Sequence, residues 1–157
     1  MQLDSFLLAD SVIAAEGKLY IHGGGITRIN APAVPIVVPQ LMIIVRLLLD
    51  PEEVNQAHEL QLELADPAGR PVILAPPSRI PAPGDAGAVT GEERFLQLIL
   101  GMAGILLTTV GIYRLTVSID GEVLRALSLP VVLIDRDDQP TVAPAPRPNR
   151  EQRRRKS

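Results

Sequence analysis

The sequence contains no cysteine and no tryptophan, and among its 157 residues there are only two tyrosines, two phenylalanines and two histidines. Without cysteine there is no disulfide framework, no thiolate metal site and no cysteine nucleophile, and redox chemistry says nothing about the compartment. Two histidines, His22 and His58, are too few for a His-rich zinc site. Four aromatics leave too little for a stacking platform, so recognition of RNA or single strands by ring stacking is not expected. The first ten residues carry acids at Asp4 and Asp10 and no basic n-region, so they do not read as a secretory signal. A cytoplasmic protein is expected. No motif asks for a cofactor or a metal, and none is expected.

What is present is a chain of ordinary single-domain length, long enough to bury a core without staples. Its formal charge of −3 conceals an uneven distribution. Residues 147–157 carry six basic groups and one acid, a net +5, whereas the rest of the chain carries nine basic and 17 acidic groups, a net −8. The chain is an acidic body with a short basic tail.

Hydrophobic spacing along the body has the period of two that marks strands. Phe6, Leu7 and Leu8 open a first strand that residues 11–15 extend; Glu16-Gly17-Lys18 is a turn signal, and Leu19-Tyr20-Ile21 resumes. Prolines at 32, 35 and 39 suit an edge or a connection. Residues 40–49 are apolar on nearly both faces, with Leu41, Ile43, Val45, Leu47 and Leu49 on one and Met42, Ile44, Arg46 and Leu48 on the other. His58, Leu60, Leu62 and Leu64 alternate with more polar neighbours, and Asp66-Pro67-Ala68-Gly69-Arg70 is a turn leading into a hairpin arm at 71–75. Residues 76–91 hold four prolines and three glycines and read as a long connection. Tyr113, Leu115, Val117 and Ile119 form an inward face, and Asp120-Gly121 is the dipeptide preferred in a two-residue hairpin turn with positive φ at both positions. From residue 135 onward the chain is polar, proline-rich and basic, the composition of disorder. The expectation is an all-β, immunoglobulin-like antiparallel sandwich of about seven or eight strands over residues 1–135, followed by a disordered Pro/Arg-rich tail at 136–157.

Two resemblances accompany that reading. Gly111-Ile112-Tyr113, leading into an alternating strand that ends in Asp120-Gly121, resembles the penultimate strand of immunoglobulin-like sandwiches, where a tyrosine hydroxyl ties the strand to nearby backbone. Along most of the body, Leu7-Leu8-Ala9-Asp10, Glu16-Gly17-Lys18-Leu19-Tyr20 and the glycine run leading to Ile26-Thr27-Arg28-Ile29 are followed by Pro39-Gln40-Leu41, the 64–70 turn and Gly111-Ile112-Tyr113. That order is similar to an uncharacterised bacterial family of small β-sandwich proteins known only as a domain of unknown function. The resemblance implies a β-sandwich and no chemistry.

Each local feature has a functional and a structural interpretation. Gly23-Gly24-Gly25 offers backbone N–H groups to a phosphate, but neither a Gly-Lys-Ser/Thr nor the third glycine of a dinucleotide fingerprint follows, so a glycine bulge or a close crossing between strands is expected. An acid–base role for His22 or His58 needs a nucleophile or carboxylate at hydrogen-bond distance, which sequence does not show, and His58 lies on an apolar face, the usual place of a satisfied core histidine. Acids at Glu52-Glu53, Glu92-Glu93 and 135–138 do not have the spacing of a calcium loop.

The apolar run at 95–113 is long enough to span a bilayer, which makes a single-pass membrane anchor the runner-up. Its glycines instead suggest two buried strands, 95–100 and 105–110, joined by Gly101-Met102-Ala103-Gly104. Arg150, Arg153, Arg154, Arg155 and Lys156 offer weak, salt-sensitive contact to a polyanion such as nucleic acid. No catalytic constellation assembles. The expectation is a non-enzymatic binding or assembly module, with Met42, Ile44, Arg46 and Leu48 as the contact face for a second copy or a protein partner.

Overall fold

A computed structural model describes residues 1–16, 18–81 and 92–134. Within them the chain is all β, with eleven strands and no helix. The count exceeds seven or eight because the first 22 residues make three strands, β1 (Gln2–Ala9), β2 (Ser11–Ala15) and β3 (Lys18–His22). In addition β4 (Ile29–Ala31), β7 (Pro71–Leu74) and β8 (Ser78–Pro81) are too short for alternation to announce them reliably. The remaining strands are β5 (Ile36–Leu49), β6 (Ala57–Ala65), β9 (Arg94–Leu107), β10 (Gly111–Ile119) and β11 (Glu122–Leu133).

The strands form a three-stranded sheet in the order β1-β5-β9, a six-stranded sheet β4-β11-β10-β6-β7 with β8 also on β6, and the small hairpin β2-β3. One core joins the two larger sheets. Leu41, Ile43, Val45 and Leu47 of β5 and Leu96, Leu98 and Met102 of β9 belong to the same buried cluster as Leu60, Leu62 and Leu64 of β6 and Tyr113, Leu115 and Val117 of β10. Every one of these residues sits at alternate positions of its strand, so burial follows from the pleat. The β10-β11 turn has positive φ at both Asp120 (52°) and Gly121 (83°), as that dipeptide requires.

Two sequence expectations are corrected. Residues 95–110 do not form two strands around a Gly-Met-Ala-Gly turn; Arg94–Leu107 is one 14-residue strand paired along β5. The glycine that suggested a turn makes a kink: Gly104 has φ +63°. Buried positions change there from even numbers (Leu96, Leu98, Met102) to odd ones (Ile105, Leu107). Gly104 faces Pro39 within an otherwise unbroken register, so β5 and β9 switch faces together and remain paired. Pro39 likewise lies inside a strand that has neighbours on both sides. β1 covers only Met42–Leu48 of β5, leaving the edge free around Pro39, and the missing N–H costs no ladder bond to β1.

The connection expected at 76–91 contains β8; residues 82–91, like the expected tail at 136–157, lie outside the described residues.

Candidate functional site

The outward face of the β1-β5-β9 sheet is built in rows, because directly paired residues of an antiparallel sheet share a face. Successive rows across the three strands read Gln2, Leu48, Phe95; Ser5, Arg46, Gln97; Leu7, Ile44, Ile99; and Ala9, Met42, Gly101. The row centred on Arg46 is polar throughout, and its neighbours on the side of the sheet facing away from the core are apolar except at Gln2.

Arg46 is the centre of the polar row. Its guanidinium lies 3.7 Å from the centre of the Phe95 ring, and its Nε is 3.6 Å from Asp4 Oδ2. Stacking on the ring and the pull of one carboxylate hold the side chain flat while leaving it half-exposed. The β2-β3 hairpin leans over the neighbouring row. Leu19 and Ile21 of β3, together with Phe6, Leu7, Ile44, Arg46, Ser5 and Gln97, line a groove of about 410 Å³. On its other side the hairpin carries Ile13 opposite Tyr20, both exposed.

The four residues expected to meet a partner are thus unequal. Met42, Arg46 and Leu48 are half-exposed, whereas Ile44 is only 5% exposed and is a wall of the groove, not a free contact. The hairpin residues were not among those expected. Their signal was the alternation on both sides of Glu16-Gly17-Lys18, which identifies strands but not the sheet on which they rest.

The outward face of the six-stranded sheet has a different character. There Thr116 stands between Glu63 and Ala126, Arg114 is paired with Ser128, and Ser118 with Gln61. Ile112 is exposed, but its row does not continue as an apolar band.

His58 sits at the β10-β11 turn end of the molecule. It is buried, with Nδ1 2.7 Å from Asp120 Oδ2 and Nε2 3.4 Å from the Glu53 carbonyl oxygen. Asp120 Oδ1 accepts the Glu59 N–H at 2.7 Å. That backbone bond first, and His58 second, hold the Asp120 carboxyl below the usual carboxylate range. Glu53 Oε1 is 2.7 Å from the Met1 amine, which Asp50 also contacts at 2.8 Å. Both imidazole nitrogens face protein atoms, so the histidine joins the 50–58 segment to the turn.

Gly23-Gly24-Gly25 returns the chain from β3 past β1. The Gly25 and Ile26 N–H groups both donate to the Leu8 carbonyl, at 2.9 and 3.2 Å, so they are spent within the fold. Gly23 has φ +61°, and a Cβ there would lie 1.9 Å from an Asp10 carboxylate oxygen. The run is a close backbone passage. Among the described residues no three His, Asp or Glu side chains gather as a metal would require. Glu52, Glu53, Glu92 and Glu93 are described; 135–138 and the basic residues Arg150, Arg153, Arg154, Arg155 and Lys156 lie outside the described residues.

No curated protein and no solved structure matches the chain. A family model described as "Family of unknown function (DUF6941)" matches residues 4–132, most of the sequence, and the chain belongs to that family.

Proposed function

We propose that the protein is a non-enzymatic binding or assembly module whose working surface is the outward face of the β1-β5-β9 sheet. The observation that carries this is the row pattern: on a face turned away from the core, Leu48 and Phe95 on one side and Leu7, Ile44 and Ile99 on the other flank the stacked Arg46. An apolar surface rimmed by polar groups and centred on an arginine with an aromatic has the composition of protein contact surfaces. The engagement of His58 on both ring nitrogens supports a structural role for the one histidine that has a carboxylate partner. A cytoplasmic location is part of the same proposal.

An immunoglobulin-like arrangement is part of the same proposal. β4 runs parallel to β11, β10 and β11 form a hairpin, and the Tyr113 hydroxyl donates to the Thr109 carbonyl at 3.1 Å while accepting its N–H at 3.3 Å. These features support an immunoglobulin-like arrangement. The membrane-anchored reading is not favoured. No helix among the described residues is long and apolar enough to cross a membrane, and residues 95–113 run through β9 into the start of β10.

Leu48→Glu tests the proposal. Gel filtration of host extract, followed by immunoblot, is expected to place the wild-type chain well above its monomer position and the variant at a clearly smaller size, with closely similar melting temperatures. A wild-type chain that elutes as a monomer, or a folded variant that elutes with the wild type, overturns it.

A further inference from the structure

The edges of the described sheets are not equally protected. Unpaired strand edges present rows of N–H and C=O groups, and proteins commonly blunt them with short strands, proline, charge or bulges. β4 has three residues; β7 begins at Pro71, and β8 ends at Pro81 and carries Arg79. β1 has a register shift between Leu3 and Ser5, with the acid Asp4 at that bulge. β9 has none of these protections over most of its length. It is 14 residues long, closes the three-stranded sheet, and among the described residues pairs with no strand on its far side, β7 approaching it only around Ala103–Leu106. Its sole charged residue is Arg94, at the start.

We propose that β9 pairs antiparallel with β9 of a second copy of this chain, joining two three-stranded sheets into one of six strands. This goes beyond the outward-face reading, adding a separate contact at the edge of the same sheet. The regular part of the strand is Arg94–Ala103, before the kink at Gly104. For both cores to remain on the same side of a continuous sheet, the two-fold axis must stand perpendicular to it, and each residue must face one of the same parity. Central overlap of Arg94–Ala103 leaves two such registers, centred on Leu98 or on Ile99, and the one proposed sets Ile99 opposite Ile99 and Gln97 opposite Gly101. Side chains from the outward rows meet across the seam, extending the apolar face.

A reversed copy of the same strand suits this edge, because the one charged residue of β9 lies at its start and is ion-paired with Glu92 at 3.8 Å, so only uncharged residues face one another along the seam. The two Arg94 residues fall at opposite ends, about 30 Å apart at the rise of a strand, well beyond the screening length of physiological salt. A parallel pairing in register would place them side by side. Gln97 and Gly101 are both exposed, and a Cβ at Gly101 meets only the Met42 thioether, at 3.5 Å, which is ordinary contact. The seam therefore takes new side chains without disturbing the protomer.

The test uses two full-length double variants, Gln97→Lys with Gly101→Lys and Gln97→Glu with Gly101→Glu. In light scattering from about 1 to about 200 μM, wide enough to cover weak association, the wild-type mass is expected to double. Each double variant is expected to remain at the monomer mass, and an equimolar mixture to recover the dimer mass. A wild type that stays monomeric throughout, or variants that dimerise as well as it does, overturns the β9 pairing. The Leu48→Glu result stands apart from either outcome, because a foreign partner on the outward face does not need the edge. Should the variants fail to fold, amide exchange on the wild type decides: protection that rises with concentration in β9 and not in β1 supports the pairing, and unchanged β9 protection overturns it.

Discussion

Tyr113→Ala is expected to remove about 3–5 kcal/mol of unfolding free energy, and Tyr113→Phe about 1 kcal/mol, measured by chemical denaturation. The ring is fully buried, with 0% exposure, in the cluster that joins the two larger sheets. Removing it opens a cavity between layers that cannot close without moving β5 or β10. The hydroxyl makes a separate contribution, because it joins the Thr109 backbone to the strand that follows. A domain of this size has about 5–15 kcal/mol of stability in all, so the alanine variant loses a large share of it. If both variants cost the same, the hydroxyl and not the packed ring governs the site. A cost under about 1 kcal/mol for alanine, below the usual range for emptying a core position, contradicts the shared core.

The second large effect is at the opposite end of β10. Asp120→Ala is expected to cost about 2–3 kcal/mol, because it leaves the buried His58 and the Glu59 N–H without their acceptor and places alanine at φ +52°. Asp120→Asn retains an acceptor and a residue that tolerates this backbone, and is expected to cost about half as much. The pH dependence has a definite sign. The Asp120 carboxyl titrates below its ordinary value of 3.8 when folded, so the unfolded chain takes up the proton first. Its contribution is complete above that value and is lost as pH falls through the folded one. Asp66 moves in the same direction, held chiefly by the Arg70 N–H and also by the Arg70 side chain. Unfolding free energy measured from about pH 6 to about pH 2 is therefore expected to fall below about 3.8, and less steeply in Asp120→Asn. Parallel acid limbs in the two proteins would remove Asp120 as a cause.

These residues show what the sequence made legible. Tyr113, Leu115, Val117 and Ile119 were readable as an inward face because strict alternation of apolar and polar residues has one physical solution, a half-buried strand. The Asp120-Gly121 turn was readable because few residues accept positive φ in succession. The course of β9 was not, because glycine signals a break in direction without saying whether the chain turns back or only changes face. Pairing to β5 decided that, and pairing is non-local. The same limit applies to the candidate site. Met42, Ile44, Arg46 and Leu48 share one face, as the period of two dictates, but the covering of Ile44 by the β2-β3 hairpin depends on how residues 11–22 fold back over the sheet. The bond between His58 and Asp120 spans 62 residues, and no local pattern relates them.

Residue-resolved photocrosslinking in living host cells tests the outward face most directly. A photoreactive side chain is placed in turn at Met42, at Leu48 and at Ile112, which is 59% exposed on the other sheet. A discrete protein adduct from Met42 and Leu48, with none from Ile112, is the expected result. Adducts from Ile112 alone, or from none of the three, would contradict the assignment of the β1-β5-β9 face as the working surface.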